Sequence, residues 1–216
     1  MIRLSSPNFD ERKAPIDMLV LHYTGMKTAQ EALDRLRDPD AKVSAHYLID
    51  EDGEVYSLVD ESKRAWHAGV SSWKEKTDIN SRSIGIEIVN PGHEFGYRSF
   101  PDKQIQSTIV LSKEIIKHNS ILNKNIVGHS DIAPNRKTDP GELFPWKKLA
   151  ENGIGLWTDD FAAPEKSVKE MLSGIGYDTT NEQAALTAFQ RRFYPEAILN
   201  HAPDTLRRLA AVYKMY

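Results

Sequence analysis

Two histidines, each closing a short apolar run, carry the first chemical signal. His22 follows Ile16-Asp17-Met18-Leu19-Val20-Leu21, and His129 follows Asn125-Ile126-Val127-Gly128. Neighbouring strands of a sheet lie about 4.8 Å apart, so two strands that end this way can bring two imidazoles to one metal ion. A catalytic zinc typically takes three protein ligands and keeps its fourth position for water. The stretch after His129 offers two oxygen donors, Asp131 and Asp139, and spacing alone does not choose between them. Glu87 is a carboxylate in a strand otherwise built from Ile, Gly and Val. Burying it without a partner would cost several kcal/mol, so it must face a cavity, a metal or an ion-pair partner. Lys137, two residues before Asp139, can aim its ammonium at charge developing on an attacked carbonyl. Each of these residues also has an ordinary reading: a hydrogen-bonded core histidine, an ion-paired glutamate, a solvated lysine.

Other polar and aromatic residues carry less. His46 and His67 fit hydrogen bonding near a cleft and stay outside the expected metal shell. Trp66 and Trp73 flank a loop that can stack on a sugar ring or simply anchor a cover. His93, His118 and His201 read as surface residues.

The elements that must position these side chains are legible from periodicity. Ile16 to Tyr23 is nearly continuous in apolar residues and reads as a strand buried on both faces. Thr28 with Glu31 three residues on is a capping-box signature, followed by Ala32, Leu33 and Leu36 on one helical face. Ser44–Ile49 and Glu54–Val59 alternate around Asp52-Gly53, a hairpin signal that adds two antiparallel strands. In Ser83–Val89, Ile84, Ile86 and Ile88 point one way, Gly85, Glu87 and Val89 the other. A loop over Asn90–Pro101 precedes a helix with Ile105, Ile109 and Ile116 on its inner face. After His129 an irregular loop is expected from Ser130 to Pro145. Three short helices are expected after a linker at Thr158–Lys166, the third facing inward through Leu206, Leu209 and Tyr213. The chain thus divides into a domain over 1–158 with an α/β mixed central sheet flanked by helices, and a small three-helix unit over 165–216. About 50 residues make a marginal core alone, so that unit should dock on the larger one.

Composition narrows the class. With 40% hydrophobic and 27% charged residues and a net charge of -3, the chain is globular and has no basic excess for nucleic acid. There are no cysteines, so any metal must be held by His, Asp or Glu. No run reaches the ~20 apolar residues of a membrane span, and the start Met1-Ile2-Arg3-Leu4-Ser5-Ser6-Pro7 lacks a secretory h-region. A cytoplasmic location is therefore expected, with the periplasm as the alternative if a leader has been removed. Oligomeric state is not legible.

His22-Tyr23-Thr24, Ser44-Ala45-His46-Tyr47, Ala65-Trp66-His67-Ala68-Gly69, Ser83-Ile84-Gly85-Ile86-Glu87 and Gly128-His129-Ser130-Asp131-Ile132-Ala133-Pro134 occur in this order. Together they resemble the type 2 N-acetylmuramoyl-L-alanine amidases, over about Met18 to Trp157, including Arg136-Lys137-Thr138-Asp139-Pro140-Gly141. Ala185-Leu186-Thr187-Ala188-Phe189-Gln190 and Leu172-Ser173-Gly174-Ile175-Gly176-Tyr177 more weakly resemble the subgroup with a C-terminal helical peptidoglycan-binding domain.

The resemblance implies one zinc ion per chain held by His22, His129 and Asp139, catalysis by Glu87 and Lys137, and peptidoglycan or muropeptide fragments as substrate. Trp66, His67, Asn80 and Arg82 are then candidate substrate contacts. Relatives often carry an arginine nine residues before the glutamate, where this chain has Asp78; Lys76 or Arg82 is expected to take over that contact. Two other classes compete. A recognition module of this fold binds peptidoglycan without cutting it after losing a zinc ligand, whereas all three ligand positions are filled here. A zinc peptidase would carry a helical His-Glu-x-x-His, which is absent.

Overall fold

The apolar run before His22 becomes the central strand of the sheet. The computed structural model describes all 216 residues. Strands β1 (Ile2–Arg3) and β2 (Phe9–Glu11) precede β3 (Met18–Tyr23), whose first four residues are wholly buried. Helix α1 (Ala29–Arg37) starts where Thr28 Oγ1 accepts the Glu31 N–H at 3.1 Å, and it buries Ala32, Leu33 and Leu36. Strands β4 (Tyr47–Ile49) and β5 (Val55–Ser57) form the expected hairpin, with Tyr47 opposite Ser57. Gly53 turns it at φ +90°, a left-handed conformation that side chains resist.

Strand β6 (Lys63–Ala65) pairs with β2, and the short helix α2 (Ile79–Arg82) leads into β7 (Ser83–Ile88). The expected loop over 90–101 contains one turn of helix, α3 (Gly92–Phe95), before the long α4 (Asp102–Asn119). Within α4 it is Ile115 that is buried, while Ile116 packs at the core's edge. Strand β8 (Ile126–Gly128) ends one residue before His129, which opens the short helix α5 (His129–Ile132) where an irregular loop was expected. The physical reason is local: Asp131 Oδ2 folds back to accept the Gly128 N–H at 2.7 Å and closes a turn. Helices α6 (Trp146–Glu151), α7 (Val168–Ile175), α8 (Glu182–Phe193), α9 (Pro195–Leu199) and α10 (Thr205–Tyr213) complete the chain.

The main sheet is mixed, in the order β1-β5-β4-β7-β3-β8. One face carries Leu19, Leu21, Ile84, Ile86, Ile88 and Ile126, covered by Ile105, Ile109 and Ile115 of α4 and by Phe144, Trp146 and Leu149. On the other, Met18, Val20 and Val127 form one continuous core with Met171, Leu172 and Ile175 of α7, Phe189 and Phe193 of α8, and Leu209 and Val212 of α10. Each fully buried side chain of this size stabilises by roughly 1.5–3 kcal/mol. The C-terminal helices therefore act as a layer over the sheet. The expected inner face of the last helix is rotated: Leu206 is 45% exposed, and Thr205, Arg208, Leu209 and Val212 point inward at helical spacing. The short α9 adds a fourth helix to the three expected. No helix is long and apolar enough to cross a membrane.

Candidate active site

Strand register places the chemistry. In the parallel pair β3–β7, His22 stands opposite Glu87, so both side chains leave the same face at the carboxyl end of the sheet. On β8, Gly128 is opposite Leu21, so His129, the next residue, arrives beside His22. Asp139 is brought in by the following loop, whose backbone returns to α5: the Ser130 N–H donates to the Asp139 carbonyl at 2.8 Å. The result is a tight triangle. His22 Nδ1 lies 2.9 Å from His129 Nδ1 and 3.1 Å from Asp139 Oδ2, and His129 Nδ1 lies 3.0 Å from the same oxygen.

Hydrogen-bond polarity shows what this triangle needs. Ser83 Oγ is 2.7 Å from the Ile79 carbonyl, which can only accept, so the hydroxyl donates there. Ser83 Oγ must then accept from His67 Nε2–H at 3.2 Å, which leaves His67 Nδ1 to accept from His22 Nε2–H at 3.0 Å. Neutral His22 therefore presents a bare Nδ1 lone pair. His129 Nε2–H donates to the Ala68 carbonyl at 3.1 Å, which likewise bares its Nδ1. Burial, the facing His129 and Lys137 push the His22 pKa down to about 4 against the pull of Asp139, so protonation does not relieve the crowding at neutral pH. Burial alone would raise the Asp139 pKa, but the two histidines hold it well below the usual carboxylate range. Three lone pairs thus converge with no proton between them, a repulsion that a cation would resolve. The set of two imidazoles and one carboxylate, without thiolate, is of the kind that could hold a catalytic zinc. The outer hydrogen bonds fix each ring's tautomer as metal ligation requires.

His129 and Asp139 open on a cavity of about 560 Å³, lined also by Glu87, Lys137 and Thr138 and walled by Tyr23, Trp66, His67 and His93. Glu87 Oε2 has no protein hydrogen-bond partner. Burial, with Asp139 nearby and despite Lys137, drives its pKa well above the ordinary glutamate value. An unpaired carboxylate with raised affinity for a proton is the profile of a general base. Lys137 lines the same cavity with no ion-pair partner for its ammonium. Gly85, one turn of the pleat before Glu87, is required because a Cβ there would come within 2.5 Å of the His67 ring.

The remaining candidates separate. Trp66 lines the cavity and its indole N–H donates to Asp10 at 2.8 Å. His67 also borders it, but both ring nitrogens are taken by His22 and Ser83. Asn80 Oδ1 accepts the N–H groups of His67 and Ala68, so it shapes the loop from beneath and does not line the cavity. Arg82 is a correction to the sequence reading: it ends α2, just before β7 and at the far end of that strand from Glu87, outside the cavity lining, and pairs with Asp17 at 2.5 Å. Lys76 is likewise outside the lining, and Asp78 pairs with Arg64. Trp73 is buried in the core against Tyr177 rather than offered to a sugar. Asp131 faces away from the triangle, with both oxygens engaged by Tyr177, Arg192 and Gly128. Sequence reasoning missed Arg136, whose guanidinium grips the Ala68 and Val70 carbonyls and ties the cavity walls together. It also missed Tyr23, whose hydroxyl meets His93 and Thr138 at 2.9 Å. The available signals for these two were adjacency to Lys137 and His22 and a place in the same short motifs.

Comparison with known proteins bears on the family and the fold. A family model described as N-acetylmuramoyl-L-alanine amidase matches residues 12–142. N-acetylmuramoyl-L-alanine amidase AmiD of Escherichia coli is 36% identical over 213 residues, covering 93% of this chain and 74% of that protein. 1,6-Anhydro-N-acetylmuramyl-L-alanine amidase AmpD of Haemophilus influenzae is 34% identical, covering 68% of this chain and 88% of its own. The solved structure of E. coli AmiD with anhydro-N-acetylmuramic acid-L-Ala-D-gamma-Glu-L-Lys superposes with a TM-score of 0.81 at 35% identity, covering 96% of this chain and 93% of that one. AMPDH3 of Pseudomonas aeruginosa with anhydromuramic pentapeptide gives 0.80 at 34% identity, covering 92% and 90%.

Proposed function

The chain belongs to the N-acetylmuramoyl-L-alanine amidase family, and on that premise we propose that one zinc ion held by His22, His129 and Asp139 serves its hydrolysis of the amide between the lactyl group of N-acetylmuramic acid and the L-alanine of the peptidoglycan stem peptide. The observation that carries the metal site is the convergence of three bare lone pairs, from His22 Nδ1, His129 Nδ1 and Asp139 Oδ2, beside an unpaired Glu87. When bound, zinc supplies Lewis acidity, lowering the pKa of water toward about 7 and polarising a carbonyl.

Glu87 takes the proton of the attacking water, and its elevated pKa makes it a competent donor when the L-alanine nitrogen departs. Lys137 meets the negative charge that develops on the lactyl oxygen. Trp66 offers its face to a sugar ring at the cavity wall. His67 acts through His22, holding its Nδ1 toward the metal. The substrate is peptidoglycan or its muropeptide fragments; AmiD and AMPDH3 are both seen with anhydromuramyl peptides, and the cavity is of small-ligand size. The helices over 165–216 stand in this reading as a peptidoglycan-binding-like unit, on the strength of their helical pattern.

Mass spectrometry of defined muropeptides, incubated with zinc-loaded and chelated protein, tests the whole reading. Free stem peptide beginning at L-alanine is expected only with zinc. Equal release after chelation would remove the metal from the mechanism.

A further inference from the structure

The proposed chemistry leaves one buried charge pair unused, and it lies against the segment that carries His129. Arg192 of α8 is 1% exposed. Its Nη1 donates to Asp131 Oδ2 and its Nη2 to the Ile126 carbonyl, both at 2.6 Å. The guanidinium lies 4.4 Å over the Trp146 ring and 4.7 Å over Phe193, which fixes its plane. Tyr177, just after α7, donates its hydroxyl to Asp131 Oδ1 at 2.6 Å. Two C-terminal side chains thus hold a point three residues before His129 and another two residues after it. The preceding residue of α8, Arg191, has Nε 3.8 Å from Glu142 Oε2, three residues beyond Asp139. One helix therefore reaches both ends of the 129–142 stretch, which supplies two of the three metal-binding side chains.

Simple docking does not require such a pair. Removing two charges from water costs several kcal/mol each, and apolar residues of similar volume often pack as well or better. What the pair adds is direction: Arg192 and Tyr177 fix the orientation of the α5 turn, and the His129 ring leaves that turn two residues from the clamped carboxylate. The family match ends at residue 142, so both clamping residues lie outside the part of the chain shared with the family as a whole.

We infer that α8 is a positioning element of the metal centre, with Arg192 and Tyr177 holding His129 in place through Asp131 and the Ile126 carbonyl. The inference rests on the reading of His129 as a zinc ligand. It makes the C-terminal helices part of the catalytic apparatus, whatever else they bind.

The test uses the full chain and zinc alone as the probe. The double variant Arg192→Met/Asp131→Asn keeps the volume and avoids stranding a charge. Competition with a chromophoric chelator should show zinc bound ~10–100-fold more weakly in the folded variant, the range typical of lost outer-shell partners. Its kcat should fall at saturating zinc with KM little changed, and Arg192→Lys should recover part of the loss. A folded double variant with wild-type zinc affinity and kcat overturns the inference. If the double variant does not fold, Tyr177→Phe, which removes one hydroxyl, decides: weaker zinc binding supports the clamp and unchanged binding overturns it. A wild-type protein that binds no zinc would instead remove the ligand reading itself, and the clamp with it.

Discussion

His129 and Asp131 stand two residues apart on one short helix, yet their side chains enter opposite surroundings. Around Asp131 every oxygen is met by a donor, from Arg192, Tyr177 and Gly128. Around His129 three acceptor atoms crowd together and the nearby Glu87 Oε2 has no partner. The first cluster is closed and faces the helical layer. The second is incomplete and faces a cavity of about 560 Å³. Buried polar groups are ordinarily satisfied, so a constellation that the fold positions firmly but leaves unsatisfied marks where a ligand is to come. The contrast also separates two buried aspartates eight residues apart: Asp139 belongs to the incomplete cluster and Asp131 to the closed one.

The sharpest test of the incomplete cluster divides its members by task. His129→Ala should lose both zinc and turnover, whereas Glu87→Ala should keep zinc and lose turnover by about 10²–10⁴-fold. Metal content by plasma emission alongside muropeptide cleavage reads both, and equal metal loss in the two variants would erase the division. His67→Ala removes the acceptor that orients His22 Nε2–H. Zinc affinity should weaken by roughly 10–100-fold, read by chelator competition, and an unchanged affinity would show that the ring is not an outer ligand.

The closed cluster should respond in stability. Asp131→Ala strands a buried guanidinium and should cost about 3–5 kcal/mol in denaturant unfolding of the metal-free protein. Asp139→Ala under the same conditions should cost clearly less, because it relieves crowding of lone pairs. Reversal of that order would mean that the two clusters had been told apart wrongly.

The smallest effect concerns pH. Glu87 has a folded pKa above its unfolded value near 4.5, so its contribution to stability is complete below 4.5 and is lost as pH rises through the folded value. Glu87→Gln should therefore stabilise the metal-free protein at neutral pH, with the gain vanishing below 4.5. His22 runs the other way: depressed from 6.5 to about 4, it contributes stability above 6.5 that is lost as pH falls toward 4. Thermal unfolding of the apoprotein and its Gln variant across this window separates the two, and a difference independent of pH would rule out Glu87 titration as its source.

Much of this was local enough to read in advance. The apolar run before His22, the alternation around Glu87, the Thr28 cap and the Asp52-Gly53 turn each depend on a few neighbouring residues, and each formed the element expected. The two histidines, the glutamate and the absence of cysteine limited the metal chemistry before any contact was known. What remained undecided depended on where distant segments meet. Asp131 and Asp139 are equivalent by composition, and only the arrival of Arg192, 61 residues after Asp131, occupies one of them. Arg82 closes the short helix that leads into the strand bearing Glu87, and the length of that strand leaves it at the opposite end of the sheet. His67 becomes a partner of His22 because Gly85 leaves room for its ring, and the helix containing Leu206 turns that residue outward because Leu209 and Val212 meet the core first. Periodicity and residue chemistry set what each segment can be; packing between segments far apart in the chain decides which side chains are consumed by the fold and which are left for a ligand.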